Sequence, residues 1–423
     1  MREMKDSGIE WAGQIPAEWK VEKNKRLFFE VNNKCLATDS YTLLSVSEYY
    51  GVAPRAEKIK DGDFETRAES LDGYKICHKN DIVMNIMLAW KRATARTSYD
   101  GIVSPAYCVY RGKDIETRYY HYVFRTEGCA DYFKRHSTGI IDSRLRLYPE
   151  SFFNLNSPVP PIIEQKQIAD FLDNRCSEID AISADIQKEI ETLEQYKRSI
   201  ITEAVTKGLN PDVEMKDSSV AWCPQIPSHW QYTNPKGLFG LRTDRAFQND
   251  RQLTASQEYG IVYQDEYMEK TGNKVVTVTK DFSILKHVEP DDFVISMRSF
   301  QGGLEYSDKR GCISSAYVML IPNKEFVYAP FYRWFFKSSK YINALQSTSN
   351  LVRDGQAMRY ANFVKVPLFI IPIEEQKAIA SYLDEKIGKV NSILAAKKKQ
   401  LEILSNYKKS LIYEYVTGKK EVT

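Results

Sequence analysis

Residues 161–173 read PIIEQKQIADFLD, and residues 372–384 read PIEEQKAIASYLD. The offset is 211, and it holds outward in both directions. Comparing 161–206 with 372–417 gives 21 identities in 46 positions, ending in YKRSIITEAVT (196–206) and YKKSLIYEYVT (407–417). Far upstream, EMKDSGIEWAGQIPAEW (3–19) answers EMKDSSVAWCPQIPSHW (214–230), with 10 of 17 positions identical. The stretches between are much less alike, although DIVMN (81–85) with DFVIS (292–296), and GIVSPAY (101–107) with GCISSAY (311–317), still line up nearly in register. One unit is written twice, with like ends and unlike middles, and such a repeat governs the architecture.

Each repeated block predicts one long helix. Proline at 161 or 372 suits a helix entrance, where a missing N–H does no harm. Glu164, Glu374 and Glu375 complement the positive end of the helix dipole. Leu172, Ile179, Ile186, Leu193 and Ile200 form an apolar row at intervals of seven. Ile168, Ile182 and Tyr196 read as a second row, interrupted by Arg175 and Glu189. In the second copy Leu383, Val390, Leu404 and Leu411 keep the row, Lys397 breaks it, and Ile387, Leu394 and Leu401 widen the stripe. Gly208 and Gly418 mark the helix ends. About 40 residues at 1.5 Å each make a rod of roughly 60 Å.

A rod with one narrow apolar stripe needs a partner, and the other copy supplies it. Two equivalent halves pair about a pseudo-twofold axis, so the helices should run antiparallel, with the second finishing near the start of the first globular segment. The linker KGLNPDVEMKDSS (207–219) joins the halves. Tyr196 and Tyr407 are expected at the helix–helix seam, Lys397, Lys398 and Lys399 on a solvated face, and Trp11, Trp19, Trp222 and Trp230 in cores.

The middles mix strand-like runs (YTLLSVSEY at 41–49, DIVMNIM at 81–87, IVSPAYCVY at 102–110) with an amphipathic helical stretch at 118–137 or 329–349. The fold class is therefore α+β. Its domains are 1–157, a long helix at 158–208, a second α/β domain at 209–368 and a second long helix at 369–423.

Hydrophobic residues make up 43% of the 423, enough for real cores. Lys and Arg exceed Asp and Glu by only 3, which leaves a nucleic-acid partner open, because a basic face matters more than a basic total. Seven scattered cysteines with no C-x-x-C pair point to a reducing compartment, with neither a disulfide framework nor a zinc site. The N-terminal MREMKDSGIEW has no apolar signal core, and VKVPLFIIPI (364–373) is too short and proline-broken to span a bilayer. A cytoplasmic protein is expected. Phosphate-loop, H-E-x-x-H and G-x-S-x-G patterns are all missing, and five dispersed histidines suggest no metal cluster. DGDFE (61–65) is the best acidic candidate and reads more naturally as a solvated turn. Binding, rather than catalysis, is the expectation.

With W-x-x-QIP-x-x-W opening each half, and VPPIIEQKQIADFLD or IIPIEEQKAIASYLD opening each long helix, the chain resembles the specificity subunits of type I restriction–modification enzymes over essentially its whole length. That resemblance implies a non-catalytic subunit. Its two middles would be target recognition domains, each reading half of an interrupted, asymmetric duplex DNA site. The helices would form an antiparallel coiled-coil spacer. Two adenine methyltransferase subunits would dock on the chain, and motor-nuclease subunits would join them. S-adenosylmethionine would belong to the methyltransferase partner, ATP and magnesium to the motor, and this chain would hold neither cofactor nor metal. Two readers on one face of B-DNA have centres about one turn, roughly 10 bp, apart. A coiled-coil scaffold with two protein-binding ends, and an enzyme with an unrecognised site in the middles, stand as competitors.

For DNA contact the residue types that matter are Arg, Lys, Ser, Asn and Gln in loops. In the first domain NIMLAWKRATART (85–97) offers Trp90, Lys91, Arg92 and Arg96, and HSTGIIDSRLRLY (136–148) offers Ser143, Arg144 and Arg146. In the second, SMRSFQGG (296–303) offers Arg298, Ser299 and Gln301, and TSNLVRDGQAMRY (348–360) offers Asn350, Arg353, Gln356 and Arg359. A solvated loop with local ion pairs, through Asp142 or Asp354, is the competing reading.

Overall fold

The repeated ends turn out to be a stitched frame. The computed structural model of the chain describes residues 2–36, 41–58, 71–278, 282–297, 299–348 and 358–422. They fall into two compact units, one of 1–187 with 399–423 and one of 188–398. The long helices run Ile162–Lys207 and Ile373–Val416.

In the first unit, Met4–Asp6 pairs with Gln14–Pro16, and Lys20–Lys23 pairs with Asn156–Val159, the strand that runs into the long helix. Between them lies a four-stranded antiparallel sheet in the order Phe28–Val31, Tyr107–Gly112, Ile82–Asn85, Thr94–Arg96. The second unit repeats this. Met215–Asp217 pairs with Gln225–Pro227, and Gln231–Thr233 with Leu368–Ile370. Its sheet runs Phe239–Arg242, Val318–Pro322, Phe293–Ile295, Glu305–Tyr306.

The helix-opening phrase has a stereochemical job in each copy. Trp19 is fully buried, and its indole N–H donates to Glu164 at 2.9 Å. Trp230, also fully buried, donates to Glu375 at 3.0 Å. A buried indole N–H without an acceptor is costly, so this glutamate does more than answer the helix dipole. The next residue is a two-way clip. Gln165 accepts from the Glu116 amide at 2.9 Å and donates to the Pro160 carbonyl at 2.8 Å. Gln376 accepts from the Tyr328 amide at 2.8 Å and donates to the Ile371 carbonyl at 2.8 Å. Both glutamines are buried. Aromatic cores fill behind them: Phe28, Tyr120, Phe124 and Phe152 in one unit, Phe239, Tyr332, Phe336 and Phe363 in the other.

Within each unit the long helices lie against each other in opposite senses. In the first, Phe171 stacks near Tyr415 and, further along, Lys408 reaches Asp180 at 2.6 Å. In the second, Lys397 pairs with Glu189 at 2.5 Å and Lys197 donates to Asn391 at 2.8 Å. As one index rises the other falls. The C-terminal end of the second helix reaches the N-terminal frame of the first unit: the Tyr119 hydroxyl donates to the Val416 carbonyl at 2.8 Å, and Gly418 has φ of 68°. A Cβ on Gly418 would stand 2.4 Å from Pro16, so only glycine fits.

Three expectations are corrected here. Tyr196 and Tyr407 are 52% and 55% exposed, not seam residues. Ile182 is 50% exposed as well. Ile168 is buried as expected, but beyond it the inward row of the first helix is Cys176, Ser183, Ile190 and Lys197, one residue later than the 175–182–189–196 positions. Lys397 lies half-buried on the seam line, whereas Lys398 and Lys399 are exposed. Of the rows expected in the second helix, Leu383, Val390, Leu411, Ile387 and Leu394 are buried, and Leu401 and Leu404 are half-buried. Trp11, Trp19 and Trp230 are buried and Trp222 partly so.

Candidate nucleic-acid interface

In the first unit two basic loops are joined: 85–93 links two strands of the sheet, and 136–148 links the helices Glu127–Arg135 and Pro149–Asn154. The 85–93 loop is closed by Asn85 and Ala93 (2.9 Å), with a short 3-10 turn at Ala89–Lys91 and Arg92 in the left-handed region at φ 67°. Trp90 anchors it, its indole donating to the Met87 carbonyl at 3.1 Å. The ammonium groups of Lys91 and Lys134 lie 5.1 and 4.8 Å from the centre of its ring, within cation–π range. Lys134 also pairs with Asp142 at 2.8 Å, and the Leu147 amide donates to the Ile86 carbonyl at 2.9 Å. The 136–148 loop is thereby tied to the 85–93 loop at two points. Lys91, Ser143 and Arg144 are exposed on this ridge. Arg146 is half-buried and donates to the Leu145 carbonyl at 2.8 Å. Arg96 is turned aside, bonded to Asn80 at 2.7 Å and Ser98 at 3.2 Å.

A third loop joins these two, and sequence reading passed over it. The hairpin Leu44–Ser47/Gly51–Pro54 turns through Glu48–Tyr50, and Tyr49 is 84% exposed at its tip. Arg125 clamps the turn by donating to the Ser47 (3.3 Å), Glu48 (2.8 Å) and Arg92 (2.9 Å) carbonyls. Burial, then the nearby Arg92 charge, lowers the Arg125 guanidinium to about 10. Beside this clamp lies an open cleft of about 1010 Å³, reached by Tyr49, Arg92 and Arg125 and floored by long-helix residues such as Ile179 and Lys408. The signal was available: SEYYG (47–51) and SQEYG (256–260) are near-copies, each ending in a glycine with positive φ.

The second unit sets its own hairpin against the first of its two loops with different side chains. Its hairpin Leu253–Ser256/Gly260–Tyr263 turns next to the 296–303 loop, where a Cβ on Gly302 would meet the Gln257 side chain. Lys337 takes the Arg125 role, donating to the Gly302 carbonyl at 2.8 Å and pairing with buried Glu305 at 2.6 Å. Gln301 and Arg359 are exposed. Ser299 is fully buried, its hydroxyl accepting from the Ser296 amide at 2.9 Å, so its observed role is to close the loop. Arg298, Asn350, Arg353 and Gln356 lie outside the described residues, as does the DGDFE stretch.

These surfaces offer cations, amides and aromatic rings rather than an activated nucleophile. All seven cysteines are buried, and burial pushes the Cys77 thiol to about 12 and the Cys176, Cys223 and Cys312 thiols to about 11. A reactive cysteine needs the opposite shift. Among the described residues no group of three or more His, Cys, Asp or Glu is placed to hold a metal ion, and no helix is long and apolar enough to cross a membrane.

Comparison with known proteins agrees with this layout. Residues 227–403 match the family described as the type I restriction modification DNA specificity domain. Two proteins of Methanocaldococcus jannaschii are similar over 97% of this chain. A putative type I restriction enzyme MjaX specificity subunit is 23% identical and covered to 95%, and the MjaVIII specificity subunit is 22% identical and covered to 94%. A solved chain from work on complex assembly and conformational transition of the type I R-M system superposes with a TM-score of 0.65 at 13% identity, over 96% of this chain and 99% of that one.

Proposed function

We propose that this chain is a specificity subunit of a type I restriction–modification enzyme, a non-catalytic DNA-recognition component, and that each of its units reads one half of a bipartite, asymmetric duplex site. The observation that carries this reading is the joining of two basic loops through Trp90, Lys134 and Asp142 in the first unit, with a hairpin turn set against the 296–303 loop in the second. Like frames hold the readers in like poses, and unlike loops give an asymmetric site.

On this reading the two long helices form one antiparallel coiled coil that spaces the half-sites. Lys408, Lys397 and Lys197 act as polar register pins within it. Two DNA adenine methyltransferase subunits dock on the chain and bring S-adenosylmethionine; motor-nuclease subunits bring ATP and magnesium. The complex works in the cytoplasm. Among the candidate contacts, exposed Lys91, Arg144, Gln301 and Arg359 are the foremost, with Arg92 beside them.

The test is a titration of duplex DNA with this chain bound to its methyltransferase partner, at several salt concentrations. Affinity should fall steeply with salt and favour one interrupted sequence. Methyl transfer by this chain alone would overturn the reading.

A further inference from the structure

The 137–147 loop carries two side chains that its own fold does not use. Ile140 is 100% exposed and Ile141 52%. Yet the loop is tightly built. Thr138 and Arg146 exchange both backbone hydrogen bonds, at 2.8 and 2.9 Å. A Cβ on Gly139 would stand 2.6 Å from the Arg144 carbonyl oxygen, so the backbone closes on itself there. Asp142–Arg144 form a 3-10 turn, and Leu145 and Leu147 are buried beneath it. Two branched aliphatics are thus held out in water by a closed turn, although Leu145 and Leu147 show that the loop has an inward side for apolar groups.

The rim of this tip is basic. Arg144 is exposed beside it, and Lys134 reaches it through Asp142. Cations around an apolar point match a nucleic-acid groove, where phosphates flank base edges that offer apolar surface such as the thymine methyl group. The second copy writes two aliphatics in the same register: GIIDSR (139–144) aligns with NLVRDG (350–355), whose Leu351 and Val352 lie outside the described residues.

We propose that Ile140 and Ile141 form an apolar reading tip that enters a DNA groove and touches base edges while Arg144 holds phosphate. This rests on the DNA-recognition reading above and adds the ligand surface that the tip meets. The experiment uses the full chain with its methyltransferase partner and an Ile140→Ser/Ile141→Ser variant, each titrated against a duplex carrying the methylated sequence and a scrambled duplex. The variant should lose about tenfold or more on the first duplex, a typical cost of one spoiled base contact. Binding to the scrambled duplex, the slope against salt and assembly with the partner should not change. Ile140→Val should keep most of the discrimination. Equal loss on both duplexes would overturn the proposal. Loss of partner assembly, with normal DNA binding by what assembles, would make the tip a protein contact and overturn it too. A wild-type chain that failed to discriminate would instead sink the underlying reading.

Discussion

Trp19 with Glu164 and Trp230 with Glu375 make the same bond in the two copies, whereas the cations behind the two sheets are held differently. Lys337 faces buried Glu305. Arg125 faces carbonyl oxygens, and Thr94, on the strand that corresponds to Glu305–Tyr306, is buried with no partner for its hydroxyl among the described residues. A frame bond is long-range and made by both copies. The clamp behind a reading loop must fit whatever loop stands in front of it. Where the copies agree, the chain is building a scaffold; where they differ, it is adapting a loop.

The sharpest way to break that comparison is to attack the frames. Trp19→Ala and Trp230→Ala should each cost about 3–5 kcal/mol, by loss of a fully buried ring. Two-probe thermal unfolding should show equal losses, one in each unit. Unequal losses would mean that the frames are alike in sequence and not in energetics.

A smaller effect is expected at the clamps, and there the copies should diverge. Glu305→Gln leaves Lys337 without its buried counter-charge and should cost about 3 kcal/mol. Thr94→Val should cost much less, because it removes an unsatisfied hydroxyl from a buried site at nearly constant volume. Urea unfolding of the two variants checks this.

The acid limb of the stability curve should separate the copies further. Burial first, then the Arg125 and Arg96 charges, lowers His121 from 6.5 to about 3. The unfolded chain takes up a proton that the folded one refuses. The stability of the first unit is therefore full above about 6.5 and falls as pH drops towards 3. His121→Gln should flatten that fall in the first unit and leave the second unchanged, as followed by unfolding at stepped pH. Smaller again, Lys91→Gln or Arg144→Gln should each reduce the slope of log affinity against log salt by about one, without changing stability.

Much of the scaffold was legible. The 211-residue offset, both long helices and the second helix's seam rows were visible because apolar residues mark them at regular intervals. The first helix's second row was right at Ile168 and misplaced by one beyond it. Apart from Ile190, its inward positions there are small or polar (Ala169, Cys176, Ser183, Lys197), while Ile182 and Tyr196 face water. Hydrophobicity finds a seam only when the seam is filled with large apolar groups. The Trp–Glu bonds were hidden because 145 residues separate donor from acceptor in each copy. The two basic loops could be picked out by composition, but their joining through Lys134 could not, since that depends on how Glu127–Arg135 packs over Trp90. Ser299 was chosen for its hydroxyl, and the fold uses that hydroxyl internally.

Independence of the two readers is best tested by mapping methylated adenines in cells that carry the wild-type chain or its Lys91→Gln/Arg144→Gln variant. One half of the methylated motif should relax or change while the other half and the gap stay as they were. If both halves shift together, or if neither moves although the variant is folded and assembled, then one copy does not serve one half-site.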